Sequence, residues 1–173
     1  SYTPYQPEVS QGNLQAMFEY QSLICGLTGM DVSNASLYDG ASAAIEAVLM
    51  CRAATRRSHR VVVAGTVHPE YREVMETYLR ELDCDLVVVD SEDEVVSPAA
   101  IEAALDEQTA CLVLQHPNFF GCLEDMESLV ATAKSFDVQV VQIFDPISLG
   151  VLKRPGDLLS LIHISEPTRL TSI

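Results

Sequence analysis

A handful of residues in this chain could do chemistry. Tyr38-Asp39-Gly40-Ala41-Ser42 joins an extended stretch to the start of a predicted helix. Such a start offers free N–H groups and a positive dipole end, which can take a phosphate. Asp39, however, puts a negative charge at that point, so a helix cap or interface turn is the preferred reading. Asp145 follows a predicted strand and is itself followed by Pro146, which reads as a structural turn. His68 and His116 stand at strand ends before Pro or Asn-rich turns, where a ring could stack on a planar ligand or hydrogen-bond within its loop. The loop role is favoured for both. His59 sits in the basic run Arg56-Arg57-Ser58-His59-Arg60, read as a solvated connection. Tyr2 and Tyr5 lie on a segment stiffened by Pro4 and Pro7, which fixes where side chains point at low entropic cost.

These groups need a scaffold. Residues 1–10 read as extended, because their prolines disfavour a helix. Leu14, Met17, Phe18, Leu23 and Ile24 give a helical stripe over Gln11–Leu27, with Gly29 as its stop. Val32–Leu37 reads as a short strand. Ala41–Arg57 is an alanine-rich helix. Strands and helices then alternate: strands at Arg60–Ala64, Leu86–Val89, Ala110–Gln115 and Val138–Phe144, helices at Pro69–Leu82, Ser97–Leu105 and Asp125–Phe136. Continuous Val/Leu strands in strand–helix–strand order predict an α/β fold with a mainly parallel sheet covered by helices on both faces. Ligands of such sheets lie beyond the carboxyl ends of the strands. No GxGxxG or GxxxxGK[ST] follows a strand, so a nucleotide-binding doubly wound domain is a weak alternative.

Asp and Glu outnumber Lys and Arg by 25 to 10, a net charge of −15, which argues against nucleic acid or an anionic membrane as partner. No apolar run approaches the ~20 residues of a membrane span. Cys25, Cys51, Cys84, Cys111 and Cys122 form no CxxC pair; buried free thiols are expected, and no metal site. The opening Ser1-Tyr2-Thr3-Pro4 reads as cut from something longer. Residues 159–169, LSLIHISEPTR, look like a translated sequencing-library adapter. Residues 1–158 are therefore taken as part of one large domain and 159–173 as a non-native tail.

Long, correctly spaced strings carry a resemblance: YTPYQPEVSQG (2–12), FEYQSLICGLTGMDVSNASLYDGASA (18–43), VHPEYREV (67–74), HPNFFG (116–121) and FDPISLGVLKRPGD (144–157). They are similar to the glycine dehydrogenase (decarboxylating) subunit 1 family, the P-protein of the glycine cleavage system. The resemblance implies an aspartate-aminotransferase-like, type I pyridoxal-phosphate (PLP) fold. It implies that PLP serves as electron sink for glycine decarboxylation in the complex and is expected on the partner, subunit 2. The aminomethyl group then passes to the lipoyl arm of H-protein, and two pairs of subunits form a heterotetramer. In such folds an aspartate placed like Asp145 pairs with the ring nitrogen, and a lysine at a strand end holds the cofactor. This chain has only Lys134, inside a predicted helix, and Lys153, too close after the Asp145 strand. No catalytic, cofactor-binding or metal-binding residue is assigned here. Tyr2 and Tyr5 are the suspected active-site-lining residues, reaching across the subunit interface. The alternative is a self-sufficient PLP enzyme of the same fold, truncated before its lysine. Unpaired thiols fit a reducing cytosol, so a cytoplasmic location is expected; the isolated chain is expected to be inactive.

Overall fold

The computed structural model describes residues 6–91, 93–158 and 162–165. The alternation forms as read: β1 (Arg60–Ala64), α3 (Pro69–Arg80), β2 (Asp85–Val89), α4 (Pro98–Ala104), β3 (Thr109–Gln115), α5 (Met126–Ser135) and β4 (Gln139–Phe144). α1 (Pro7–Thr28) and α2 (Gly40–Thr55) precede them, and two 3₁₀ turns, Pro146–Gly150 and Pro155–Leu158, follow. The sheet order is β2-β1-β3-β4-β5, all parallel, where β5 is Ile162–Ser165. α3 packs with α2, and α4 with α5, the division between two faces that the right-handed rule for parallel connections gives for this strand order.

The core sits between these layers. Val61, Val62, Val63, Leu112, Val113 and Leu114 are fully buried on the two central strands. Strands wetted on neither face can be apolar at every position, which is why they read as unbroken Val/Leu runs. α2 closes on the sheet through small residues: Gly40, Ala43, Ala44 and Ala47 are all buried, beside Ile45, Val48 and Cys51.

Three expectations need correction. α1 starts at Pro7 rather than Gln11. Proline has no N–H to lose at a first helical position, so Pro7 begins the helix it was read as preventing. Val32–Leu37 forms no strand. No neighbouring strand offers it a ladder, and Val32 stays 82% exposed. The basic run is a solvated connection as read, with Arg56, Ser58 and His59 exposed and Arg57 and Arg60 half-buried. Arg57 Nη1 donates to the Asp137 carbonyl at 2.6 Å and Nη2 to its carboxylate at 3.0 Å, Arg60 pairs with Asp106, and Arg52 donates to the Ser58 carbonyl. Of the thiols, Cys51, Cys84 and Cys111 are buried and unpaired, but Cys25 and Cys122 are only half-buried. Burial pushes the Cys84 thiol up, and contact with Cys51 together with burial does so more strongly for Cys111.

Residues 162–165, read as lying outside the fold, pair with β4 from Val141↔Ile162 to Phe144↔Ser165. Without them β4 would present an open row of N–H and C=O groups. Such pairing depends on reach and an extended backbone, not on where a segment comes from.

Candidate functional site

The carboxyl ends of β1, β3 and β4 open into a cleft of about 410 Å³, lined by His68, Tyr71, Gln115, Asn118, Asp145 and Ser148 among others. Each lining group is positioned by its loop. His68 caps α3: its Nδ1 accepts from Glu70 N at 3.2 Å. Its backbone N–H donates to Gln115 Oε1 at 2.9 Å, which ties the loop after β1 to the end of β3. The His68 ring stacks on Tyr71 with centroids 4.9 Å apart and meets the edge of Phe119 at 4.8 Å. Phe119 in turn contacts Phe120 at 5.5 Å. Such aromatic pairs are worth about 0.5–1.5 kcal/mol beyond area burial.

His116 begins the loop after β3. Its N–H donates to the Ile143 carbonyl at 2.9 Å, and its Nδ1 accepts from Glu124 N at 3.1 Å. Burial lowers its pKa, opposed in part by Glu124. Its peptide bond to Pro117 is cis. Asp145 is exposed at the cleft edge; its Oδ1 accepts from Ile147 N at 2.9 Å, and its carbonyl accepts from Ser148 Oγ at 2.6 Å. It is a turn aspartate whose second carboxylate oxygen has no hydrogen-bond donor among the described residues.

Behind the cleft lies a buried carboxylate that the sequence reading did not single out. Glu124 is 5% exposed. Its Oε1 accepts from Thr66 Oγ1 at 2.7 Å and Asn118 Nδ2 at 2.8 Å, and its Oε2 accepts from Val96 N at 3.0 Å. In the run Cys122-Leu123-Glu124-Asp125-Met126 it looks like any surface acid before a helix; no local signal marks it.

The remaining candidates fall elsewhere. Asp39 Oδ1 accepts from Ser42 N at 2.7 Å, so it is the N-cap of α2, as preferred, and its carboxylate stands where a phosphate would have to approach. Lys134 is exposed on α5. Lys153 is exposed and bonded to the Glu127 carboxylate, which raises its pKa and keeps the ammonium charged. That is the reverse of the desolvated amine a nucleophilic lysine requires. Neither lysine lines the cleft. Tyr2 and Tyr5 lie outside the described residues. Among the described residues, no group of three His, Cys, Asp or Glu side chains could hold a metal ion, and no helix is long and apolar enough to cross a membrane.

This arrangement has known counterparts. The family model for the glycine cleavage system P-protein matches residues 1–171. The chain is 50% identical over 166 residues to the probable glycine dehydrogenase (decarboxylating) subunit 1 of Desulforamulus reducens, covering 96% of this chain and 37% of the relative. A crystal structure of glycine decarboxylase (P-protein) of the glycine cleavage system in inhibitor-bound form superposes with a TM-score of 0.86 at 42% identity. That match spans 96% of this chain and 37% of the other. The sphingosine-1-phosphate lyase of Burkholderia pseudomallei shares the fold alone, with a TM-score of 0.59 at 19% identity over 77% of this chain and 35% of the lyase. The chain thus spans little more than a third of the length of the proteins it matches. With half its residues shared along nearly its whole length, and the sheet superposing on that of a P-protein, the chain belongs to the glycine cleavage system P-protein family and has the fold of that P-protein.

Proposed function

We propose that the protein containing this chain is subunit 1 of a glycine-cleaving P-protein. It works in the cytoplasm as part of a two-plus-two heterotetramer with subunit 2. Together they decarboxylate glycine and pass the aminomethyl group to the lipoyl arm of H-protein. The observation that carries this reading is the 50% identity over 96% of the chain to a relative named as that subunit. When bound in the complex, PLP supplies the electron sink for loss of the carboxylate.

The residues of this chain do not fit PLP as a covalently held cofactor. Asp39 occupies the helix start that would cradle its phosphate, and both lysines point their chemistry elsewhere. The resemblance to subunit 1, not these residues alone, supports placing the cofactor on subunit 2, with this chain contributing shape and partner residues. We assign Tyr2, helped by Tyr5, to the wall of the partner's active site. Glycine has no side chain to grip, so selectivity needs a tight pocket, and a neutral phenol can donate to a carboxylate without adding a cation. Residues 159–173 are read as non-native; an uninterrupted open reading frame through Arg169 in the parent locus would overturn that.

One experiment on the assembled complex tests the reading. Borohydride reduction and peptide mapping should label a lysine of subunit 2 and neither Lys134 nor Lys153. In parallel, Tyr2→Phe keeps the packing and removes the hydroxyl. It should slow glycine decarboxylation about tenfold, some 1.4 kcal/mol of transition-state stabilisation, with assembly unchanged. A label on either lysine refutes the cofactor assignment, and unchanged activity makes Tyr2 a packing residue.

A further inference from the structure

We propose that Glu124 is a positioning residue: a built-in ligand that fills the switch-point crevice of the sheet and sets the loop facing the cleft. From β1 the chain first adds β2 on one side, then crosses to add β3 on the other. The loops after β1 and β3 therefore leave toward opposite faces, and a crevice opens between them. Open parallel sheets commonly take their ligand there. In this chain the crevice holds the Glu124 carboxylate.

Its three donors come from three separate loops. Thr66 follows β1, Val96 follows β2 and Asn118 follows β3. All three are neutral, so the buried carboxyl group is held by hydrogen bonds alone. Such a group tolerates burial only while every bond is made.

The carboxylate also decides how its neighbours face. Asn118 Nδ2 donates to Glu124 Oε1 and to the Glu94 carbonyl, each at 2.8 Å. Its Oδ1 must then face the other way, where it accepts from Phe120 N at 3.1 Å and Cys122 N at 3.0 Å. That closes the 118–122 turn, in which Gly121 takes φ +83. Phe119 N is fixed by the Thr66 carbonyl at 2.9 Å. The turn holds Phe119 against His68 and leaves Phe119 and Phe120 about half exposed. The backbone N–H of residue 124 donates to His116 Nδ1, a contact that the variants below retain. The Glu124 side chain thus sets the orientation of Asn118 and, through it, the aromatic tip.

The test uses hydrogen exchange read by mass spectrometry on the full-length subunit in its complex. Glu124→Gln has one acceptor oxygen instead of two, so whichever way its amide turns, a donor meets a donor. Exchange should rise at least tenfold in 94–97, in 116–122, or in both. Glu124→Ala should release both segments. Leu79→Ala, on the opposite face, serves as control for a general loss of stability. Should Glu124→Ala fail to fold, Glu124→Gln decides alone. If neither segment exchanges faster in Glu124→Gln than in the control, Glu124 is a structural residue only and the proposal falls.

Discussion

α1 and α2 are both apolar helices, yet the chain treats them oppositely. α2 buries seven residues against the sheet, and its N-cap Asp39 satisfies the backbone N–H of Ser42. α1 is longer, at 22 residues, but Leu14, Phe18 and Leu23 are each more than half exposed, and Gln6 provides no side-chain cap. α1 meets the rest of the chain mainly at the turn Pro146–Gly150 and at its own end. There Arg154 Nη1 donates weakly to the Gly26 carbonyl at 3.5 Å, and Gly156 lies so close that a Cβ would collide with the Gly29 carbonyl oxygen. The difference teaches that hydrophobicity makes a helix ready to be buried, while side-chain size and a facing surface decide whether it is.

The contrast breaks most clearly in stability. Leu112→Ala, fully buried on β3, should cost about 2–5 kcal/mol, as core truncations do. Phe18→Ala, 71% exposed, should cost about 0.5 kcal/mol or less in this chain. Urea denaturation of both variants decides it, and equal losses would mean that α1 is as well packed as the core. Repeating Phe18→Ala in the full-length subunit sharpens the point, since a loss that appears only there means α1 is covered only there.

A smaller effect is expected at the α1 anchor. Gly156→Ala forces backbone against backbone and should cost about 1–3 kcal/mol, the usual range for overpacking. Hydrogen exchange should rise over residues 26–30 and stay unchanged in the sheet; an undisturbed α1 end would show that the contact yields easily. The smallest effect concerns the caps. Asp39→Ala should lose about 1 kcal/mol while Asp39→Asn keeps most of it, and Gln6→Asp should gain up to about 1 kcal/mol by giving α1 the cap it lacks. Equal thermal midpoints for Asp39→Ala and Asp39→Asn would mean the cap bond carries nothing.

Much of the fold was legible because its signals are local. Runs such as Val61-Val62-Val63, the Ser97-Pro98 helix start and the Gly29 stop each act within a few residues, and all three stand in the structure as read. The same holds for Asp39, whose partner is three residues away. The reading of His68 and His116 as hydrogen-bonded local residues rested on local turns too: His68 caps the helix that follows it, and His116 bonds within its loop. Val32–Leu37 misled because extended residues say nothing of whether a neighbouring strand exists. Pro7 misled because the same residue that breaks a helix inside can begin one at its edge.

The amino-acid sequence by itself determined the alternation of elements, the fold class that follows from it and the family, since each is carried by order and identity along the chain. Tertiary structure alone decided that Glu124 is buried rather than one more surface acid, and that His68, Gln115 and Asp145 share one cleft. It also left α1 bare. The physical reason is distance along the chain: Thr66 and Glu124 are 58 residues apart and Val96 and Glu124 are 28. Only the crossing of the strands brings such groups within hydrogen-bonding reach.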